Sequence, residues 1–177
     1  MVKSHPIFLT YLEKMNKLDL RFLAISKKIA EWSKDPSKKI GCVIVNDKKT
    51  IISQGYNGFP RRVDDTKERL NDRTTKYKFV VHAEMNAIFN ATYNGVSLDG
   101  TTAYIWGLPV CNECAKGLIQ CGVKRIVSVD AYGDKKWSSV SKISKIMFDE
   151  TDVEYIEYTK SNYDYWGIVL DERIDDF

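Results

Sequence analysis

IGCVIVNDKKTIISQGY, residues 40–56, consists of two β-rich runs separated by Asn46-Asp47-Lys48-Lys49. Branched side chains suit a pleated, half-buried surface, and a short polar break between two such runs reads as a β-hairpin. Upstream, Leu18, Phe22, Ile25, Ile29 and Trp32 recur at steps of four, three, four and three, the apolar stripe of an amphipathic helix. That helix should stop before Asp35-Pro36, because proline disfavours helical geometry in its predecessor. Downstream the pattern alternates. A helix over 82–93 ends at Asn94-Gly95, TTAYIW (101–106) is a strand, and a helix over 111–121 is stopped by Gly122 at its C′ position. KRIVSV (124–129) is a strand, Val140, Ile143 and Met147 mark a further helix, and VEYIEY (153–158) is the last strand. A hairpin followed by alternating helix and strand argues for a three-layer α/β/α sandwich around a mixed five-stranded sheet.

The chain has 177 residues, 44% of them hydrophobic, which fits a single domain over 1–177. Its core is expected over about 18–160, with a charged insertion over 60–79 and a tail over 161–177. The polar stretch NGFPRRVDDTKERLNDRTTKYKF (57–79) reads as a solvated loop with a short helix; the tail, ending DERIDDF, reads as a terminal helix or a loose end. No run approaches the roughly eighteen apolar residues of a membrane span. MVKSHPIFLTYLEKMNK lacks the apolar h-region of a signal peptide, so a cytoplasmic protein is expected. Four cysteines, two of them spaced C-x-x-C, then point to metal or redox chemistry rather than to disulfides. The net charge of +3 is too small to argue for nucleic acid by itself.

VVHAEMNAIFNA (80–91) places one of the two histidines, His82, two residues before Glu84 in an apolar helical pattern. PVCNEC (109–114) supplies Cys111 and Cys114. One imidazole and two thiolates are zinc ligands, and three protein ligands leave the fourth position for water, as hydrolysis requires. Cys121 lies roughly 10 Å past Cys114 by helix rise and reads as core. Both ligand groups sit where helices begin, and the positive end of a helix dipole favours thiolate. Glu84 falls in the same first turn as His82, where a carboxylate can move protons without ligating.

His82-Ala83-Glu84 and Cys111-Asn112-Glu113-Cys114 resemble the H-x-E…P-C-x-x-C signature of zinc-dependent nucleobase deaminases. One departure stands out, since Val110 separates Pro109 from Cys111. SKDPSKKIGCVIV (33–45), GYNGFPR (55–61), HAEMNAI (82–88) and CAKGLIQCGVKRIV (114–127) narrow the resemblance to the deoxycytidylate (dCMP) deaminases, over roughly residues 18–132. The resemblance implies the cytidine-deaminase-like fold, one catalytic Zn2+ per chain, and hydrolysis of dCMP to dUMP and ammonia. Glu84 would act as the acid/base and the Ala83 backbone would meet the base edge. Asn57 would lie near the sugar and Tyr132 over the pyrimidine. Lys38, Lys39, Arg61 and Arg62 flank the loops expected around the pocket, and Arg61 is the preferred phosphate ligand. The resemblance further implies a homohexamer, activation by dCTP, inhibition by dTTP, and Mg2+ accompanying the regulatory nucleotide. Asn57, Gly58 and Phe59 are candidates for that regulatory site. A second, structural zinc is not expected, because His5, Cys42 and Cys121 are scattered. Two other readings stay open: a deaminase of another substrate (dCTP, cytidine or single-stranded nucleic acid), and a zinc-stabilised binding module without catalysis.

Overall fold

The hairpin forms where its sequence predicts. In the computed structural model, which describes residues 16–171, β1 (Gly41–Val45) pairs antiparallel with β2 (Ile51–Tyr56). Around it the chain runs α1 (Lys17–Ala30), β1, β2, α2 (Lys67–Asn71), α3 (Arg73–Phe79), α4 (Ala83–Tyr93), β3 (Thr102–Gly107), α5 (Asn112–Gln120), β4 (Arg125–Asp130), α6 (Lys135–Glu150), β5 (Glu154–Thr159) and α7 (Lys160–Asp171). β1 also pairs antiparallel with β3, while β3–β4 and β4–β5 are parallel, giving the order β2-β1-β3-β4-β5. Parallel neighbours need a crossover connection, and α5 and α6 provide one each. This is the expected mixed five-stranded sheet.

The strands alternate between two apolar layers. Cys42, Ile44, Ala103, Ile105 and Ile126 face a core shared with α4, α5 and α6. Val43, Val45, Tyr104, Trp106, Val127 and Val129 face a second core shared with α1, with Tyr163 and Trp166 of α7 packed against it. The period-two alternation of a strand sends successive side chains to opposite faces, so every central strand is covered on both sides. The sandwich therefore has three layers.

Two helices turn differently from their apolar stripes. On α1, Phe22 and Ile29 of the stripe are buried, but Leu18 and Ile25 are 36% and 37% exposed and Trp32, just past the helix, 54%, while Leu23, Asp19 and Ser26 are fully buried. The inward polar side chains all have partners. Asp19 accepts two hydrogen bonds from the Arg125 guanidinium, at 2.7 and 2.8 Å, and one from the Tyr104 hydroxyl. It also completes a capping box with Asn16, a device worth about 1 kcal/mol. Ser26 donates towards the carbonyls of Phe22 and Tyr104. On α6 the expected stripe fails at Ile143, which is 57% exposed, and Ser141 and Ser144 point inward instead.

The stretch 60–79 departs further from its solvated reading. It forms two short helices, and Lys76 of α3 is 6% exposed. At the chain's end, the helical alternative for the tail holds over 160–171, whereas His5 and residues 172–177 lie outside the described residues. Among the described residues, no helix is long and apolar enough to cross a membrane.

Candidate metal and catalytic site

α4 carries His82 and Glu84 to the sheet because β2 presents a glycine to it. A Cβ on Gly55 would stand 2.4 Å from both the Ala83 carbonyl oxygen and the Ala87 nitrogen, so only glycine permits this approach. Three hydrogen bonds stitch the contact. Ser53 donates to the Ala87 carbonyl, Asn86 to that of Tyr56, and Asn90 to that of Gln54. On the other side, α5 begins just past Pro109-Val110. The Val110 carbonyl accepts from Ser144 at 2.8 Å and its N–H donates to the Tyr155 hydroxyl. The residue inserted before Cys111 is thus held by its own backbone.

His82 and Cys111 are the N-cap residues of α4 and α5, and neither makes a side-chain capping bond. A polar cap at each position would stabilise its helix by about 1 kcal/mol; these two side chains turn towards one another instead. His82 Nδ1 lies 3.3 Å from Cys111 Sγ and 3.4 Å from Cys114 Sγ, and the three donor atoms fall within 4.8 Å of one another. Tetrahedral zinc with ordinary bond lengths places nitrogen and sulfur roughly 3.5 Å apart. The donor set and its spacing fit zinc.

The electrostatics of the cluster follow from the same contacts. The hydrogen bond from Cys114 pushes the Cys111 thiol down from 9.0 to about 4 against the effect of burial, and the His82 ring adds to the shift. His82 rises from 6.5 to about 9, chiefly through its bond to Cys111. Cys114 is held well above its usual range by Cys111 and by burial. Burial also raises Glu84, partly offset by the charge of His82.

His82, Ala83, Glu84 and Cys111 line a cavity of about 330 Å³, together with Asn57. Glu84 is 4% exposed, a carboxylate set in the wall. Asn57 is held by its amide, its Oδ1 accepting from the Ile40 N–H and its Nδ2 donating to the Lys38 carbonyl. Two candidate contacts fall elsewhere. Tyr132 does not line the cavity; its hydroxyl bonds the Lys39 backbone and its ring lies under the Lys38 ammonium. Arg61 does not line it either, because its guanidinium is bound to Asn90 and stacked 5.1 Å over Tyr93. The regulatory candidates divide. Gly58 and Phe59 border a second cavity of about 540 Å³, whereas Asn57 borders the first.

The cavity includes residues that no motif marks. Trp137 sets its ring edge-on to His82, with centroids 6.4 Å apart. It stands three residues before Val140 and so extends the apolar stripe of α6, a signal present in the sequence. Arg73, Lys76 and Tyr77 also border it, and the charged stretch that carries them reads as solvent-facing. Among the described residues Cys42 and Cys121 stay outside the donor cluster; Cys42 is buried, and Cys121 is partly buried against the core.

Residues 16–130 match the family model described as the cytidine and deoxycytidylate deaminase zinc-binding region. A probable deoxycytidylate deaminase of Drosophila melanogaster is 40% identical over 145 residues, covering 76% of this chain and 68% of the relative. The deoxycytidylate deaminase of Mus musculus is 36% identical over 156 residues, covering 85% and 83%. Among solved structures, the dCMP deaminase of cyanophage S-TIM5 in complex with dCMP and dUMP superposes with a TM-score of 0.65 at 20% identity, covering 81% of this chain and 98% of that one. A bifunctional diaminohydroxyphosphoribosylaminopyrimidine deaminase/reductase from Thermotoga maritima reaches 0.57 at 23% identity, covering 79% of this chain and 36% of that one. These likenesses show the cytidine-deaminase-like fold, which hosts more than one substrate. With the motif residues gathered around one cavity and the family model spanning them, the chain belongs to the cytidine and deoxycytidylate deaminase zinc-binding family.

Proposed function

We propose that this chain is a zinc-dependent dCMP deaminase, converting dCMP and water to dUMP and ammonia. The observation that carries the reading is the juxtaposition of a three-donor His/Cys/Cys cluster with a buried carboxylate, Glu84, in the wall of one cavity. The names of the relatives at 36–40% identity support the choice of substrate.

His82, Cys111 and Cys114 would hold the zinc, which when bound supplies a Lewis acid that lowers the pKa of water. Glu84 accepts the proton of the attacking water and passes it to N3 of the base as the C4–O bond forms. It then takes the remaining proton from the new C4–OH and delivers it to the amine, so that ammonia leaves as the C4–N bond breaks and C4=O forms. Burial suits this carboxylate to the task, because a raised pKa brings it closer to the pH at which it must both take and give. The N–H groups of the first turn of α4 have no intrahelical partner, and Ala83 lines the cavity, which supports a role for its backbone at the base edge. Asn57 serves near the sugar through its Oδ1, which accepts one protein hydrogen bond and keeps a second lone pair. The aromatic wall comes from Trp137 in place of Tyr132. For the phosphate, Arg73 replaces Arg61, since it lines the cavity; Lys38, also in the lining, is ion-paired with Asp134.

The reading extends to regulation on the family resemblance: a cytoplasmic homohexamer in pyrimidine metabolism, activated by dCTP and inhibited by dTTP, with Mg2+ beside the effector. The second cavity, bordered by Gly58 and Phe59, is the place offered for that effector. A binding module with a structural zinc would be expected to use four protein ligands, whereas the cluster has three among the described residues and borders open space. A polymer substrate needs a basic, aromatic groove, and segment 60–79 interleaves acids with its cations.

Ultraviolet-monitored deamination of dCMP beside dCTP, deoxycytidine, CMP and a short single strand tests the proposal. Selective turnover of dCMP is expected. Turnover of the strand alone, or of no substrate by zinc-loaded protein, would overturn it.

A further inference from the structure

The two helices of the charged insertion are anchored in an unusual way. α2 buries no residue, and α3 buries one, a lysine. Lys76 Nζ lies 2.9 Å from Asp35 Oδ1 and 3.3 Å from Ser37 Oγ, and the lysine and aspartate side chains are 8% and 9% exposed. Asp35 sits in the loop that follows α1, and the same carboxylate organises it. Its Oδ1 accepts the N–H groups of Ser37 and Lys38, and its Oδ2 faces Asn57 Nδ2 at 3.5 Å. The remaining ties of the insertion lie nearer its margins. They are a Phe59–Phe79 ring stack, the Arg61 guanidinium bound to Asn90 and stacked over Tyr93, and a largely exposed Lys34–Asp65 pair.

A buried ion pair adds little net stability against an apolar pair of the same size, but it specifies one arrangement, because a displaced partner strands a charge. Asp35, Asn57, Lys76, Arg73 and Tyr77 all line the cavity that also holds His82 and Glu84. We infer that Lys76 is a positioning residue: its pair with Asp35 latches α2–α3 onto the loop that follows α1 and thereby sets where Arg73 and Tyr77 stand in the cavity wall. The latch governs the grip on the part of the substrate far from the reacting carbon. It does not touch the metal cluster. The inference rests on the reading of this cavity as the dCMP site.

Lys76→Met tests it, beside Asp35→Asn/Lys76→Met, in zinc-loaded protein. The double variant strands no charge, and the introduced amide oxygen still accepts from the turn N–H groups; its nitrogen takes the place of the Oδ2 that faces Asn57 Nδ2, and deoxycytidine, which keeps the sugar, reports any effect there. Two readouts are taken. One is hydrogen exchange over residues 60–79 without substrate, and the other is KM and kcat for dCMP beside deoxycytidine. Both variants are expected to lose protection in 60–79 and to raise KM for dCMP roughly tenfold or more. Zinc content, kcat for dCMP and kcat/KM for deoxycytidine should stay within about threefold. Wild-type protection and KM in the double variant would overturn the latch, as would recovery of both when Asp35→Asn is added to Lys76→Met. Where Lys76→Met does not fold, the double variant alone decides. A wild-type protein without dCMP turnover would defeat the functional reading instead, and the exchange result would still stand.

Discussion

Gly55→Ala should damage the site from outside it. The added Cβ would stand 2.4 Å from Ala83 O and Ala87 N, against an ordinary contact of about 3.5 Å. Both neighbours are backbone, so no rotamer change relieves the clash, and α4 must retreat by about 1 Å. The retreat stretches the three hydrogen bonds from Ser53, Asn86 and Asn90, each worth about 1 kcal/mol. Overpacking of this kind costs about 1–3 kcal/mol, or roughly 2–12 °C in Tm for a chain of this size. The functional loss should be larger than the stability loss. His82 caps the displaced helix and Glu84 lies in its first turn, and a misplacement of about 1 Å can lower turnover a hundredfold. The assay is Tm, zinc per chain and dCMP turnover, with Gly167→Ala as control. Gly167 lies in α7 with nothing among the described residues within 4 Å of its added Cβ, so that change should stabilise by up to about 1 kcal/mol. Gly55→Ala protein with wild-type zinc and turnover would refute the packing argument.

Other consequences are separable. In metal-free protein, the Cys111 pKa is depressed from 9.0 to about 4, so its stabilisation is whole above pH about 9 and is lost as pH falls through about 4. The His82 pKa is raised from 6.5 to about 9, so its contribution is whole below 6.5 and is lost as pH rises through about 9. The two trends oppose between pH 6.5 and 9, so in metal-free Glu84→Gln protein, which removes the opposing titration of the raised Glu84 carboxyl, Tm should be level there and fall on acidification from 6.5 to 4; a Tm that climbs on acidification over that range would contradict the pairing. Arg73→Gln should raise KM for dCMP roughly tenfold, as expected for one charge-assisted phosphate contact, while Arg61→Gln should leave it within twofold; steady-state kinetics in which Arg61 matters more would restore the sequence-based choice. Asp19→Ala should destabilise by about 3 kcal/mol, because it leaves the partly buried Arg125 guanidinium without its two-bond partner, with kcat unchanged; a denaturant midpoint equal to the wild type would remove Asp19 from the account.

The sheet and the donor cluster were legible in the sequence because each rests on local chemistry. β-rich runs, glycine stops and ligand spacing are properties of a few consecutive residues, and β1 through β5 and His82, Cys111 and Cys114 came together accordingly. What escaped depends on partners distant along the chain. Asp19 and Ser26 turn the inward face of α1 away from its apolar stripe only because Arg125 and Tyr104 await them. Lys76 looks like one more solvated cation until Asp35, forty-one positions away, is placed beside it. Arg61 and Tyr132 lie on the loops that the sequence marks, but their side chains are bonded to Asn90 and to the Lys39 backbone. Segment order predicts which loops surround a cavity; it does not predict which side chain of a loop turns inward.

The most direct test of the central claim is a paired determination of zinc content and dCMP turnover in wild-type protein and Glu84→Gln. About one zinc per chain is expected in both, with a loss of turnover of roughly a hundredfold to ten-thousandfold in the variant. Full turnover without the carboxylate would contradict the role given to Glu84. Loss of zinc together with the carboxylate would contradict its separation from the ligand set.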